Sequence, residues 1–202
     1  MHAPSTTRPA PDYHGVLPAA AAEAEPVPLD FDRLPRRVIR ELRASHVGET
    51  VAVHLYDGVT RATRDPDVLR FAASHRAVER HHLALFEATL PPRYRSRLGP
   101  FWRFAGLLMG GLPARVGPKA FYAVVSAVEH WVDGHYAGQI ALVRRLAPDR
   151  RLLDLLQACR NDEAHHSRDA AIAMGRAGWV ERLLAWIAVA GSRLGVAVAR
   201  WV

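Results

Sequence analysis

Six carboxylate and imidazole side chains follow one another along the chain in an order that suits two metal ions. The order is Glu, Glu-x-x-His, Glu, Glu-x-x-His, and its members are Glu49, Glu79, His82, Glu129, Glu163 and His166. Iron and manganese bind carboxylate oxygen and imidazole nitrogen, and several negative charges offset the repulsion between two nearby cations. The pattern therefore predicts a di-iron or di-manganese centre with open positions for dioxygen.

The spacing within each Glu-x-x-His pair supports this prediction. Residues three apart lie on one face of a helix, so both members can bind the same ion. Each pair ends in the second member of a histidine doublet, and the first members, His81 and His165, are expected to point away from the metal. Nine Glu and eleven His predict about half an occurrence of Glu-x-x-His by chance, whereas two are present. The alternative interpretation is that these glutamates are exposed and form salt bridges, and that these histidines lie on the surface.

The two isolated glutamates stand in apolar surroundings. Glu129 follows the apolar run 120–128, and Glu49 lies within the largely apolar stretch 45–53. A buried carboxylate must be paired, protonated or bound to metal. Asp162 precedes Glu163 and could orient a metal-bound imidazole, although a surface position is an equal alternative.

The elements that must position these residues are helices separated by Pro or Gly. The pattern predicts five helices, and strand-like alternation is absent. Between the second and third helices, residues 100–117 form a short, aromatic and glycine-rich apolar segment. The chain is therefore predicted to be all-α, a ferritin-like four-helix bundle with an added apolar C-terminal helix. The expected helices span about 32–64, 66–89, 118–146, 149–174 and 179–201.

Composition sets the domain organisation and the class of partner. Residues 1–30 are rich in Pro and Ala and are predicted to form a flexible arm, while 31–202 form one ferritin-like di-iron domain. No N-terminal signal peptide is expected. With 27 basic and 20 acidic residues, the net charge of +7 favours anionic surfaces, either nucleic acid or acidic lipid. The single cysteine excludes a disulfide framework or a cysteine-based metal cluster.

Four segments also resemble, in order and spacing, the motifs of the demethoxyubiquinone hydroxylase family. They are Ser45-His46-Val47-Gly48-Glu49, Glu79-x-x-His82, Val128-Glu129 followed by His135-Tyr136-x-x-Gln139, and Asp162-Glu163-Ala164-His165-His166. The resemblance covers nearly all of residues 38–201 and implies that all six predicted ligands bind iron. The family usually has Asp where this chain has Ser45, which leaves the ligands intact but puts in question any hydrogen bond that the Asp would make near the site.

The resemblance implies an oxygen-dependent di-iron monooxygenase of ubiquinone biosynthesis. Its substrate would be a polyprenyl methoxy-methyl-benzoquinol, hydroxylated on the ring, with two Fe ions as cofactor and O2 as co-substrate. It also suggests NADH as the electron donor, although no Gly-x-Gly-x-x-Gly follows a strand. His135 and Tyr136 are candidates for electron or proton transfer, and a packing role is equally consistent with the sequence.

A water-insoluble substrate requires access to lipid, and two segments could provide it. Residues 101–112 and 179–202 are strongly apolar, and the second has Trp near both ends with arginines that can reach headgroups. We expect insertion into one leaflet; packing on the bundle or in a dimer is the alternative. No run of eighteen uninterrupted apolar residues exists, so a conventional membrane-spanning helix is not expected.

Together with these segments, the resemblance implies a peripheral protein of the inner membrane. It would lie on the cytoplasmic face in a bacterium or on the matrix face in a mitochondrion. A lipid-binding partner protein or a homo-oligomer could accompany it, and nucleic acid is not expected. Two rival interpretations remain: a di-metal oxidase or hydroxylase acting on a tRNA base or another quinone, and a non-enzymatic iron-binding bundle. Storage requires cage assembly and gains nothing from a terminal apolar helix.

Overall fold

The computed structural model describes residues 24–202, and this part of the chain contains six α-helices and no strand. The prediction of an all-α chain with an apolar C-terminal helix is confirmed. A single 3₁₀ turn, Pro92–Tyr94, lies between the second and third helices. The helices are α1 Arg36–Ala62, α2 Pro66–Thr89, α3 Gly99–Val116, α4 Pro118–Leu146, α5 Arg150–Met174 and α6 Trp179–Ala199.

The helix ends follow local sequence signals. The Asp65 carboxylate accepts hydrogen bonds from the Asp67 and Val68 backbone N–H groups at the start of α2. Asp149 does the same for the Leu152 N–H at the start of α5. Such acceptors satisfy backbone donors that the first helical turn leaves without a partner. Gly117 separates α3 from α4 with a φ of 148°, a backbone conformation that favours glycine.

The four helices that carry the predicted ligands, α1, α2, α4 and α5, share two apolar clusters. One cluster joins Leu42, Phe86, Tyr136 and Leu155 near one end of the bundle. The other joins Tyr56, Phe71, Phe121 and Ala170 near the opposite end. Every predicted ligand falls, along its own helix, between residues of the first cluster and residues of the second. The apolar clusters therefore enclose a polar layer at mid-height.

The apolar segment between the second and third expected helices is longer and more regular than predicted. It forms α3, an 18-residue helix that packs along α1. Glycines permit this contact, because a Cβ at Gly110 would lie 2.0 Å from the Leu55 carbonyl oxygen, and one at Gly106 would lie 2.4 Å from that of Val51. Glycine weakens helix propensity, but here it lets two helix backbones approach closely.

The C-terminal helix packs on α4 and α1 and leaves most of its surface open. Within residues 24–202 it is the one helix whose length and composition would allow it to cross a membrane. Only 6% of its most apolar 18-residue stretch is buried. Its end is tied to α1, since Arg200 contacts both carboxylate oxygens of Glu41, at 2.9 and 3.1 Å. The helix is therefore anchored at its C-terminal end and exposed along its length.

The predicted N-terminal arm lies mostly outside the described residues, which begin at residue 24. The described remainder of that segment, residues 24–30, packs against the bundle. Val27 is buried in the first apolar cluster, and its backbone N–H donates to the Thr89 hydroxyl at 3.0 Å. Residues just before Phe31 therefore contribute to the core.

Candidate metal centre

The six predicted ligand side chains lie together in the polar layer, and each is at most 3% exposed. They form two groups, within each of which one donor atom per residue lies within 4.8 Å of the others. Two carboxylates belong to both groups and could therefore face two cations, and the six residues match the donor set of di-metal carboxylate bundles. The groups are Glu49, Glu79, His82 and Glu163, and Glu79, Glu129, Glu163 and His166.

Each histidine directs its Nδ1 toward carboxylates of other helices. His82 Nδ1, on α2, lies 3.5 Å from Glu49 Oε2 on α1 and 3.6 Å from Glu163 Oε1 on α5. His166 Nδ1, on α5, lies 2.9 Å from Glu79 Oε1 on α2. The packing of the helices thus brings imidazole and carboxylate groups that are remote in sequence to within 2.9–3.6 Å of one another.

The chemistry of the donor set fits two cations. Buried atoms of these side chains have no hydrogen-bond partner, and a buried polar atom without a partner costs about 1–3 kcal/mol. Two bound cations, one in each group, would satisfy all of them. The atoms are Glu49 Oε2, both carboxylate oxygens of Glu79, His82 Nδ1, Glu163 Oε2 and His166 Nδ1.

Burial and mutual repulsion control the charge of this layer. Burial raises the pKa of Glu49 to about 8 and the pKa of Glu129 well above its usual range. Burial alone would lower the pKa of His166, but the adjacent carboxylates of Glu163 and Glu79 raise it to about 10. In the metal-free protein, protons therefore provide the positive charge that cations would supply.

Asp162 occupies the orienting position considered from the sequence. It is buried, and its Oδ2 lies 3.0 Å from His82 Nε2. A carboxylate on the remote nitrogen fixes the tautomer of a ligating imidazole, so Nδ1 is left free to face the carboxylates of the site. Of the first members of the two doublets, His165 is exposed and His81 is partly exposed, and neither belongs to the two donor groups.

Tyr136 and His135, the two candidates on α4 for electron or proton transfer, lie at different distances from the predicted ligands. The Tyr136 hydroxyl donates a short hydrogen bond to Glu49 Oε1, so Tyr136 contacts a predicted ligand directly. The His135 imidazole lies farther out, stacked on Trp131, with Nε2 2.9 Å from Gln139 Nε2. Gln139 Oε1 in turn accepts a hydrogen bond from Ser45 at 2.9 Å. Ser45 therefore belongs to this polar chain.

A narrow cavity of about 110 Å³ joins the centre to the helices at the surface. It runs between α1, α3, α4 and α6, and the carboxylates of Glu49, Glu79, Glu129 and Glu163 form part of its wall. The rest of the wall is mainly apolar or made of small residues, including Val51, Leu55, Met109, Val128, Gly191 and Gly195. This arrangement suits an apolar molecule whose reacting end meets the metals.

Sequence reasoning missed one residue next to the centre, His75 on α2. Its ring is buried and lies 4.4 Å from the His166 ring, measured between centroids. The available signal was its position four residues before Glu79, on the same helix face. A lone buried histidine is too common for that spacing to indicate a function by itself.

Comparison with known proteins gives a consistent result. A family model described as "Ubiquinone biosynthesis protein COQ7" matches residues 36–199. The chain is similar to the 3-demethoxyubiquinol 3-hydroxylase of Rhodospirillum rubrum, with 34% identity over 169 residues, covering 79% of this chain and 76% of the relative. It is 31% identical over 147 residues to the enzyme of that name from Aromatoleum aromaticum, covering 71% and 69%.

A eukaryotic relative is also similar to this chain. The mitochondrial NADPH-dependent 3-demethoxyubiquinone 3-hydroxylase of Dictyostelium discoideum is 30% identical over 148 residues, covering 68% of this chain and 65% of the relative. The family model spans all four helices that carry the carboxylate and histidine layer.

Proposed function

Because the chain belongs to the family of ubiquinone biosynthesis protein COQ7, we propose that it hydroxylates the ring of a demethoxyubiquinol, using dioxygen. One observation carries this proposal: the four glutamates of the two buried donor groups line a cavity whose other walls are mainly apolar. A metal layer alone would suit many reactions, whereas a cavity with mainly apolar walls selects an apolar substrate.

The proposed cofactor is a pair of iron ions. Glu49, Glu79, His82, Glu129, Glu163 and His166 would hold them, with Glu79 and Glu163 shared between the two. When bound and reduced, two iron ions supply the electrons and the binding positions that activate dioxygen. One oxygen atom enters the ring C–H bond and the other leaves as water, which consumes two electrons and two protons.

The chain's own side chains would position the substrate and move protons. The apolar walls keep water away from the reacting ring. The Tyr136 hydroxyl, which donates to Glu49, is placed to exchange a proton at that carboxylate. His135 lines the same cavity and contacts Gln139, so it is the candidate for transfer between the cavity and the outer polar residues.

We propose a reduced nicotinamide nucleotide as the electron source. NADH is the donor expected from the motif resemblance, and the Dictyostelium relative is named as NADPH-dependent. The rates at which NADH and NADPH reduce the quinone without oxygen would distinguish the two donors. Under these conditions the electron transfer is measured separately from the reaction with oxygen.

We also propose that the protein works at a membrane surface. Enzymes of ubiquinone biosynthesis are membrane-associated, and α3 and α6 both carry exposed apolar faces while forming walls of the cavity. The expected site is the cytoplasmic face of a bacterial inner membrane or the matrix face of a mitochondrial one. A lipid-binding partner protein and self-association remain proposals of the same kind.

A tRNA base is a poorer fit as substrate. The cavity wall contains no Arg or Lys among the described residues, although the chain as a whole is basic. Recognition of a nucleic acid would require phosphate contacts along the approach to the centre. The positive charge is better explained by anionic lipid headgroups.

The test uses purified protein loaded with iron, given a demethoxyquinol, NADH and oxygen. Mass spectrometry should detect a product heavier by one oxygen atom, with the label from ¹⁸O2. His166→Ala should bind less iron and form no product, because a ligand of one metal position is removed. The neighbouring exposed residue provides the control, and His165→Ala should retain both. Full activity in His166→Ala would refute the ligand assignment, and no product from the iron-loaded wild type would refute the substrate.

A further inference from the structure

The two ligand histidines are held in place by different kinds of contact. A helix sets the direction of a histidine side chain, but the torsion that rotates the ring is broad, so something else must fix the ring plane. For His82 that contact is the hydrogen bond from Nε2 to Asp162. The corresponding residue on the other helix, immediately before Glu79, is Val78, which has no polar group to offer.

The ring that lies against His166 is that of His75. The two centroids are 4.4 Å apart and the planes are inclined by 66°, an edge-to-face arrangement. This geometry is favourable between aromatic rings, and rotation of either ring would disrupt it. His75 thus limits the orientation of His166 by shape.

His75 is itself held firmly on three sides. Its Nδ1 donates to the Phe71 carbonyl oxygen at 2.9 Å, and its ring stacks on the Phe71 ring with centroids 3.8 Å apart. Its Nε2 faces Asp169 Oδ2 at 3.5 Å. Phe71 is in turn packed edge-on against Phe121 and Tyr122, which are both buried. A ring with so little freedom can transmit its position to a neighbour.

We propose that His75 is a positioning residue for the second metal position, the one formed by Glu79, Glu129, Glu163 and His166. It keeps the His166 imidazole turned so that Nδ1 faces the carboxylates. This inference rests on the proposed metal centre. The two metal positions should therefore respond to different substitutions, one to Asp162 and the other to His75.

The test is a titration of the metal-free protein with cobalt(II), in which the visible absorption of the bound cobalt measures binding. The wild type should bind two equivalents, and the band lost in His166→Ala identifies the position in question. His75→Leu removes the flat ring and should weaken that equivalent by about 10–100-fold, leaving the other unchanged. His75→Phe keeps a ring of similar shape and should stay within a few-fold of the wild type.

Two further variants complete the design. Asp162→Asn is the matched control and should weaken the other equivalent. Asp169 is more exposed than His75, and Asp169→Asn removes the carboxylate that faces His75. The affinity for cobalt at the position of His166 should therefore fall, but by a smaller factor than in His75→Leu. This variant keeps the inference testable if His75→Leu does not fold.

Three results would overturn the inference: folded His75→Leu with wild-type affinity for both equivalents, equal weakening of both, or His75→Phe as weak as His75→Leu. If His75→Leu does not fold, wild-type affinity in Asp169→Asn would overturn it. A wild-type protein that binds no cobalt would contradict the proposed metal centre instead, so the two failures can be told apart.

Discussion

The hydrogen bonds of single residues connect the candidate metal centre to the surrounding protein. Glu49 has one carboxylate oxygen without a partner and one that accepts from the Tyr136 hydroxyl. Asp162 provides a comparable contact for His82. Such contacts orient ligands and hold their charge, and their removal should affect function more than fold.

Tyr136→Phe tests the contact to Glu49. The substitution keeps the buried ring and removes only the hydroxyl donor, so Glu49 loses its orientation and a proton source. We expect kcat to fall by about tenfold or more while two irons remain bound. Iron content and single-turnover rates measure the two effects separately. Unchanged kcat would show that the Tyr136 hydroxyl is a packing group only.

A histidine outside the centre should govern part of the pH dependence of stability. Burial, and then the charge of Arg95, lower the pKa of His46 from its ordinary value of 6.5 to about 4. Below pH 6.5 the unfolded chain binds a proton that the folded chain resists, so stability present above pH 6.5 is lost as the pH falls toward 4. The loss amounts to about 2–3 kcal/mol by pH 4.5.

His46→Leu removes this titrating group and provides the measurement. The free energy of unfolding, determined with urea at pH 7.5 and 4.5, should fall less in His46→Leu than in the wild type. A difference between the two proteins that stays constant across this range would contradict the assignment.

At the scale of elements, glycines bring α1 and α3 together. A Cβ at Gly58 would lie 2.2 Å from the Leu107 carbonyl oxygen, and Gly110 is as close to Leu55. This contact places α3 against α1, and thereby places Trp102 and Met109 in the wall of the cavity. Without close approach of the backbones, that side of the cavity would be open.

Gly110→Ala should therefore destabilise the fold. Its methyl group would overlap the backbone of α1, at a cost of about 1–3 kcal/mol or more. Gly138→Ala is the matched control, because it lies inside α4 and a Cβ there meets nothing within 4 Å. That control should gain up to about 1 kcal/mol from helix propensity. Equal effects of both substitutions on the free energy of unfolding would contradict the packing argument.

The whole molecule combines a buried polar layer with an exposed apolar surface on α3 and α6. Large apolar side chains on both helices are about half exposed or more. Apolar surface of this extent in a basic protein supports the proposed binding to an acidic membrane, from which the substrate would enter the cavity directly. The side chains are Phe101, Phe104, Leu112, Trp179, Trp186, Ile187 and Leu194.

The double variant Phe104→Glu with Trp186→Glu tests this surface. Cosedimentation with vesicles containing phosphatidylglycerol should weaken by at least about tenfold, because burial of each aromatic ring contributes roughly 1.5–3 kcal/mol. Turnover of a long-tailed quinol should fall while turnover of a soluble, short-tailed one stays unchanged. Ile172→Glu, an equally exposed apolar position on α5, is the control. Undiminished vesicle binding in the double variant would contradict the proposed membrane surface.

The sequence by itself determined the all-α class, most helix bounds and the six residues of the polar layer. These follow from local rules, because the spacing of Glu79 and His82 fixes a shared helix face and Pro and Gly mark helix ends. Only the tertiary structure decided that the glycine-rich segment is a full helix and that a cavity runs from α6 to the carboxylates. It also decided that Tyr136 contacts Glu49, whereas His135 does not, and that His75 lies against His166. These contacts join residues far apart in the chain, and their distances depend on how whole helices pack, which no local pattern records.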